Sequence, residues 1–304
     1  MIRRQISVQI TRGGNILIRR PCPPPCPEPS RPNLALPANA CDSHCHIMGP
    51  AALFPYSAQR AYDPPEAPIE KLLALHRHLG ISRGVIVQAS CHGFDNSAMI
   101  DALKTYPDRL RGVALLPPDC TIEQIEELHA VGVRGVRFNF MSRIQKAPSL
   151  EAINGILERI APFGWHAVLH FDPEQIPQLK NWIADLPLPH VIDHMGRLNG
   201  SDYGGKYFDE FCTMLQGKST WMKISGAERG SETGPPFADM IPIARKFVEI
   251  APDRTLWGID WPHPVLTRPM PDDGHLVDLL GEMVPDETTR KAILVDNPAR
   301  LYGF

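Results

Sequence analysis

The sequence predicts an α/β chain folded as one (β/α)8, TIM-like barrel behind a proline-rich amino-terminal extension. Three observations carry this. Eight short apolar runs alternate with amphipathic stretches of helical period after residue 40. The 304 residues fit a barrel of ~250 residues plus an extension. Histidine and aspartate, finally, collect at the ends of several of the apolar runs, where such a barrel keeps its chemistry.

The elements follow in order. Residues 1–39 stand apart: eight prolines lie between Pro21 and Pro37, and proline removes backbone donors and favours extended chain, so neither a helix nor a central strand can form there. This extension is expected to be poorly ordered or draped over the surface, with no catalytic part. Cys22 and Cys26, followed by Cys41 and Cys45, allow a zinc knuckle on paper, but the spacing is loose and the intervening prolines are stiff. The barrel is assigned to residues 40–304, with strands at Ala40–His46, Gly84–Ser90, Leu110–Leu116, Gly135–Phe140, Ala167–Phe171, Val191–His194, Trp221–Ser225 and Leu256–Asp260. Helices are expected at Ile69–Leu79, Ser97–Tyr106, Ile122–Ala130, Leu150–Ala161, Glu174–Ala184, Phe208–Leu215, Ala238–Ile250 and His275–Met283. Thr121 and Gln124 form a capping box ahead of the third helix.

Composition narrows the function. A net charge of −3 gives no general attraction to nucleic acid or to an anionic membrane, so any anion site has to be local. No apolar run approaches the ~20 residues of a spanning helix. Arg3 and Arg4 are followed by neither an apolar segment nor a small-residue cleavage site, and the expectation is a soluble cytoplasmic protein. Seven cysteines, an odd number in a long chain, point to reduced thiols.

The first strand ends in Asp42-Ser43-His44-Cys45-His46, and strand alternation puts both imidazoles on one face, where neutral nitrogens can share a metal. The sixth ends in Asp193-His194-Met195-Gly196-Arg197 and the eighth in Gly258-Ile259-Asp260-Trp261-Pro262-His263-Pro264. His76-Arg77-His78 repeats the His-x-His pattern inside a helical stretch, where residues two apart point in opposite directions and cannot chelate together. His129, His190 and His275 read as helix-surface or loop residues. Arg137 lies inside the apolar run Val136–Phe140, where a bare charge is costly without a partner, and so marks an anion contact. Lys223 alternates with apolar neighbours on the seventh strand and either faces the lumen or pairs with an acid.

These segments, together with Val87-Gln88-Ala89-Ser90-Cys91-His92-Gly93 and Arg134-Gly135-Val136-Arg137-Phe138-Asn139-Phe140, resemble the amidohydrolase superfamily. Within it they are similar to the lactonases acting on 2-pyrone-4,6-dicarboxylate and on 4-sulfomuconolactone, over nearly everything from residue 38 onward. The resemblance implies an amidohydrolase-type barrel that opens a small, anionic, unsaturated lactone in aromatic-compound breakdown. It makes Asp260 the base that takes a proton from water, and places His44, His46 and His194 around the lactone carbonyl as metal ligands or polarising groups. Arg137, Arg143, Arg197 and, less closely matched, Arg229 are implied to hold the substrate's acidic groups by paired, charge-assisted bonds. Tyr62 and Ser90 are implied to help hold the substrate, and His263 to lie beside the leaving oxygen.

One departure shapes the expectation. Where the pyrone-dicarboxylate lactonases carry a tyrosine at the end of the fifth strand, this chain has His170. That residue either completes a zinc site with His44, His46, His194 and Asp260 or replaces the tyrosine as a hydrogen-bonding group. On the first reading the substrate is 4-sulfomuconolactone, opened to maleylacetate and sulfite; the alternative is the pyrone dicarboxylate. A metal-dependent decarboxylase on this fold would share the histidines but need fewer arginines, and a non-catalytic anion-binding barrel would have no use for Asp260.

Overall fold

The computed structural model describes residues 7–10, 16–144 and 148–304. After a two-stranded hairpin, β1 (Ser7–Ile10) with β2 (Ile16–Pro21), the barrel strands are β3 (Cys41–Cys45), β5 (Arg83–Val87), β6 (Leu110–Ala114), β7 (Val133–Asn139), β8 (His166–His170), β9 (His190–Ile192), β10 (Thr220–Lys223) and β11 (Thr255–Leu256). They form one parallel sheet in the order β11-β10-β9-β8-β7-β6-β5-β3. Every one of the eight expected strands is present.

The seam between β3 and β11 is closed by backbone bonds just beyond the short last strand. Ser43 N donates to Trp257 O at 2.9 Å, Asp260 N to His44 O at 2.8 Å and His46 N to Trp261 O at 2.8 Å. Asp42 reinforces it, its Oδ1 accepting from His44 N at 3.0 Å and Ile259 N at 3.1 Å.

Helices cover the outside: α1 (Ile69–Leu79), α2 (Ser97–Thr105), α3 (Ile122–Ala130), α4 (Leu150–Ile160), α5 (Ile176–Ala184), α6 (Lys206–Gln216), α7 (Ala227–Gly230), α8 (Ile241–Ile250), α9 (Asp273–Met283), α10 (Glu287–Lys291) and α11 (Asn297–Tyr302). The Thr121–Gln124 capping box at α3 is formed in both directions. The starts of two expected helices, at Ala238 and Glu174, fall instead in separate 3₁₀ turns, Ala238–Met240 and Pro173–Gln175, because Pro242 and Pro177 reset the start of the α-helix behind them.

Two apolar clusters follow from strand alternation. Outward-facing residues such as Ile86, Val136, Leu169 and Met222 pack under the helices with Trp165, Phe211 and Phe247. Inward-facing Val85, Val113, Val168, Val191, Trp221 and Leu256 fill the barrel floor, which Tyr302 of α11 plugs. The lumen is thus apolar below and free for polar groups above.

The extension is held along the barrel. The β2 strand runs parallel to β4 (Tyr62–Asp63), with Arg20 opposite Tyr62. Farther on, Ser30 N and Oγ reach the Asp272 carboxylate at 3.0 Å, and Leu34 N reaches Asp278 at 2.8 Å. From Cys22 to Ala40 the prolines exclude helix and strand, as the sequence implied. Cys22 and Cys26 join no group of potential metal ligands among the described residues, and all seven cysteines are free thiols. No helix among the described residues is long and apolar enough to cross a membrane.

Candidate active site

The cavity opens at the carboxyl-terminal end of the strands and is lined by His46, Tyr62, Ser90, Arg137, Asn139, Arg143, His170, His194, Arg197, Arg229 and Asp260, with Met141, Pro264 and Val265 at its margin. Ten of the twelve residues singled out in the sequence therefore face one space. The other two, His44 and His263, do not line it. His44 lies in the layer beneath, and His263 points elsewhere.

At the first strand, alternation needs a local correction to bring the histidines inward. Asp42 reaches out to His76 of α1 (Oδ2 to Nε2, 3.1 Å), while His44, two residues on, faces Asp193 and Asp260 in the lumen. The register irregularity between Asp42 and Cys45 lets residues of equal parity face opposite ways. His78, in contrast, turns from the barrel to the carbonyl of Pro29 at 2.9 Å, so the His76-x-His78 pair diverges as its helical spacing required.

Asp260 is the hub. Its Oδ2 accepts from Arg229 Nε at 2.7 Å and lies 2.5 Å from Nη2. Its Oδ1 is 3.1 Å from His46 Nε2 and 3.5 Å from His44 Nε2. Burial alone would raise this carboxyl, but Arg229 outweighs it and holds Asp260 well below the ordinary carboxylate range. It is an ionised group at neutral pH. The backbone there is left-handed (φ 60°), as it is at His194 (φ 52°) and Arg197 (φ 59°), a conformation that costs a non-glycine residue energy and clusters at working sites. These turns also explain why β9 and β11 stop at Ile192 and Leu256, short of the expected His194 and Asp260.

His44, His170 and His194 are neutral. Burial lowers His44 to about 4 and His194 to about 3, and drives His170 well down, against a usual value near 6.5. His46 Nδ1 is 2.7 Å from Val87 O, and its Nε2 is hydrogen-bonded to Asp260 Oδ1 at 3.1 Å. His194 Nδ1 pairs with Ser225 Oγ at 2.9 Å. His44 Nδ1 lies 3.1 Å from Lys223 Nζ and 3.2 Å from Asp193 Oδ1, and Lys223 and Asp193 are themselves 3.1 Å apart. Lys223 thus faces the lumen and pairs with an acid at once.

The donor set can hold a divalent ion. One ligand atom each from His44, His194 and Asp260 falls within 4.8 Å of the others, His46 Nε2 faces the same carboxylate oxygen, and His44 Nε2 has no hydrogen-bond partner. His170 stands to one side. Its ring centroid is 5.3 Å from that of His194, it belongs to no such group, and both of its nitrogens are buried without partners.

The four arginines differ more than the sequence suggested. Arg143 and Arg197 share Asp172, which the sequence reading missed: Arg143 grips both its oxygens, and Arg197 Nε reaches Oδ1 at 2.8 Å. Burial pushes Asp172 up, but the two guanidinium groups outweigh it and keep it below its usual range. Arg229 is committed to Asp260. Arg137, 6% exposed, donates to the Gln88 carbonyl at 2.9 Å, keeps Nε unpartnered and contacts no carboxylate among the described residues. Asn139 was also missed, although strand alternation from Arg137 pointed to it; its Oδ1 accepts from Met141 N at 3.2 Å while its buried Nδ2 is without a partner. Tyr62 and Ser90 meet at 3.4 Å on the cavity wall.

His263 corrects an expectation. It is fully buried away from the cavity, with Nδ1 3.3 Å from Glu228 Oε1 and Nε2 3.0 Å from Asp273 Oδ1. Burial opposes its charge, yet the two acids raise it to about 10, so it is an imidazolium. It does not line the cavity, so the expected contact with a leaving oxygen is not formed. His190 is likewise not on a helix surface or loop: it is buried on β9, bonded to Thr220 Oγ1 at 2.9 Å. His129 and His275 do lie on helices, half-buried and exposed respectively.

Comparisons with known proteins agree with this geometry. The family model described as Amidohydrolase matches residues 41–304. A 2-pyrone-4,6-dicarboxylate hydrolase of Comamonas testosteroni is 43% identical over 286 residues, covering 90% of this chain and 93% of that protein. A 4-sulfomuconolactone hydrolase of Rhizobium radiobacter is 40% identical over 294 residues, covering 92% and 96%. A solved Pseudomonas putida structure, described as a candidate 2-pyrone-4,6-dicarboxylic acid hydrolase, superposes with a TM-score of 0.77 at 34% identity, over 88% of this chain and 98% of that one. The barrel, its strand-end histidines and the match from Cys41 to the last residue have one reading: this chain belongs to the amidohydrolase family.

Proposed function

We propose that this chain, a lactone hydrolase of the amidohydrolase family, opens an unsaturated lactone bearing two carboxylates, of the 2-pyrone-4,6-dicarboxylate type. The observation that carries the reading is the cavity's division of labour: an ionised carboxylate, Asp260, among neutral histidines on one side, and cationic guanidinium groups on the other. The sequence-based preference for 4-sulfomuconolactone rested on His170 as a zinc ligand. The dicarboxylate hydrolase is the more similar of the two relatives, at 43% against 40% identity, and His170 stands outside the His44–His194–Asp260 group. The sulfonated lactone becomes the second reading, favoured only by the presence of a histidine at that position.

In this mechanism Arg137 binds one carboxylate with the donors it does not spend on Gln88. Arg143 and Arg197, already shared by Asp172, take the other. Asp260 removes a proton from water, whose oxygen adds to the lactone carbonyl to give a tetrahedral oxyanion; its collapse breaks the ring carbon–oxygen bond and expels an enolate, which takes up the proton held on Asp260. The developing oxyanion is met by an N–H of His194, the tautomer allowed when Nδ1 accepts from the Ser225 hydroxyl. His170, a neutral ring with free nitrogens, offers a hydrogen bond to the substrate. A divalent ion such as zinc, held by His44, His46, His194 and Asp260, would polarise the carbonyl and lower the pKa of bound water. Arg229 and Lys223, both cations beside those ligands, oppose its retention.

The test is to purify the protein, measure its metal content, and follow the ultraviolet absorbance of both lactones with and without chelator. Hydrolysis of the dicarboxylate at the higher kcat/KM is expected. Faster opening of the sulfonated lactone would transfer the assignment to it, and loss of neither compound would overturn the lactonase reading.

A further inference from the structure

The extension was read as remote from the chemistry, yet one of its side chains sits between two walls of the cavity. Cys22, buried at 7% exposure, donates its backbone N–H to Asp63 O at 3.1 Å, and its Sγ accepts from Val265 N at 3.2 Å. Asp63 follows Tyr62, which lines one wall. Val265 and Pro264 line another, and the Pro264 carbonyl accepts from Arg229 Nη1 at 3.0 Å while the same guanidinium grips Asp260. Cys22 therefore ties the Tyr62 strand to the segment that carries Arg229's second anchor.

The segment it holds needs holding. Val265 is β-branched yet adopts φ 62°, and His263, two residues earlier, has φ 56°; such a residue persists in the left-handed region only where its surroundings over-determine it. Outside the Cys22 contact, Val265 N has no acceptor among the described residues. The arm also grips the far end of this segment, where Ser30 binds Asp272 through N and Oγ. Between those two points lie residues 265–272, which join the Asp260 turn to α9.

We infer that Cys22 is a positioning residue: through the Val265 amide it sets the 261–266 turn, and with it Arg229 and the cavity wall that meets the substrate. The role rests on the lactonase reading only for its kinetic consequence; the clamp itself is a property of the chain. A thiol is suited to the place, since its sulfur fills a buried apolar gap and still accepts one weak bond. No change in the cysteine's oxidation state is involved.

Cys22→Val keeps the volume and removes the acceptor, whereas Cys22→Ser keeps an acceptor on a shorter bond. In the full-length valine variant the amide of Val265 should exchange at least about tenfold faster, read by hydrogen exchange on the peptide spanning 261–272. KM for the hydrolysed lactone should rise about three- to tenfold with kcat within about twofold, and the serine variant should recover most of both. Unchanged exchange, unchanged KM, or equal losses in the serine and valine variants would each overturn the assignment. Where Cys22→Val does not fold, Cys22→Ala takes its place in the same comparison. If the unmodified protein opens neither lactone the functional reading fails, while the exchange measurement still decides whether the clamp exists.

Discussion

Arg229 and Asp260 are joined through a single carboxylate oxygen: Nε and Nη2 both converge on Oδ2, leaving Oδ1 turned to His46 and His44. One oxygen is therefore spent on holding the residue in place, and the other, shared with the histidines, is the one we propose takes the proton from water. Asp260→Asn keeps the shape but not the basicity. It should lower kcat by about 10²–10⁴-fold with little change in KM, the signature of a group that acts on the proton in flight. Steady-state kinetics on the hydrolysed lactone check it. A variant retaining more than a tenth of wild-type turnover would remove Asp260 from the role of base.

Behind Arg229 the charges alternate inward. Asp260, Arg229, Glu228, His263 and Asp273 follow one another, with Arg229 Nε 3.4 Å from Glu228 Oε1. Glu228 is fully buried, and although burial alone would push its carboxyl up, His263 and Arg229 lower it. Removing one member strands its partners as buried, uncompensated charges, which costs about 3–5 kcal/mol. Glu228→Gln and His263→Gln should each destabilise by that order, and the double variant by clearly less than their sum. Denaturant unfolding of the four proteins gives the cycle; strict additivity would mean that the two residues do not act as a pair.

Arg137 makes the sharpest case for substrate binding, because it contacts no acid of its own among the described residues. Arg137→Met retains the apolar stem and removes the charge. KM should rise by about ten- to a hundredfold, the equivalent of one charge-assisted bond, with kcat less affected. Arg143→Met should do less, since Asp172 already occupies part of that guanidinium. Equal effects of the two substitutions would show that the Asp172 pairing does not matter to the site.

How far the sequence led depends on whether a residue's neighbours obey a period. Arg137, Asn139 and His170 project inward because strands alternate, and the eight strands were legible for the same reason. His263 was misplaced because the left-handed turns at Asp260 and His263 break that alternation and send its ring back to Glu228 and Asp273. Asp172 was missed because its partners, Arg143 and Arg197, lie 29 and 25 residues away on other loops, and no local pattern links them. Cys22 was discounted for a related reason: its partners Asp63 and Val265 are brought to it only by the closed barrel.

Stability should pass through a maximum near the pKa of a free histidine. Burial lowers His166, under the barrel floor, to about 3. Its ring is neutral when folded but protonates in the unfolded chain below about 6.5, so it withdraws stability as pH falls from there toward 3. His263 works in the opposite sense. Its folded value of about 10 lies above the unfolded one, so its contribution is complete below pH ~6.5 and is lost as pH rises toward 10. Each limb has a limiting slope of about 1.4 kcal/mol per pH unit per histidine. Calorimetric Tm measured from pH 4 to 10 should therefore peak near 6–7, and His263→Gln should flatten the alkaline limb while leaving the acid limb in place. An alkaline limb that survives the substitution unchanged would mean that His263 does not carry its charge between Glu228 and Asp273.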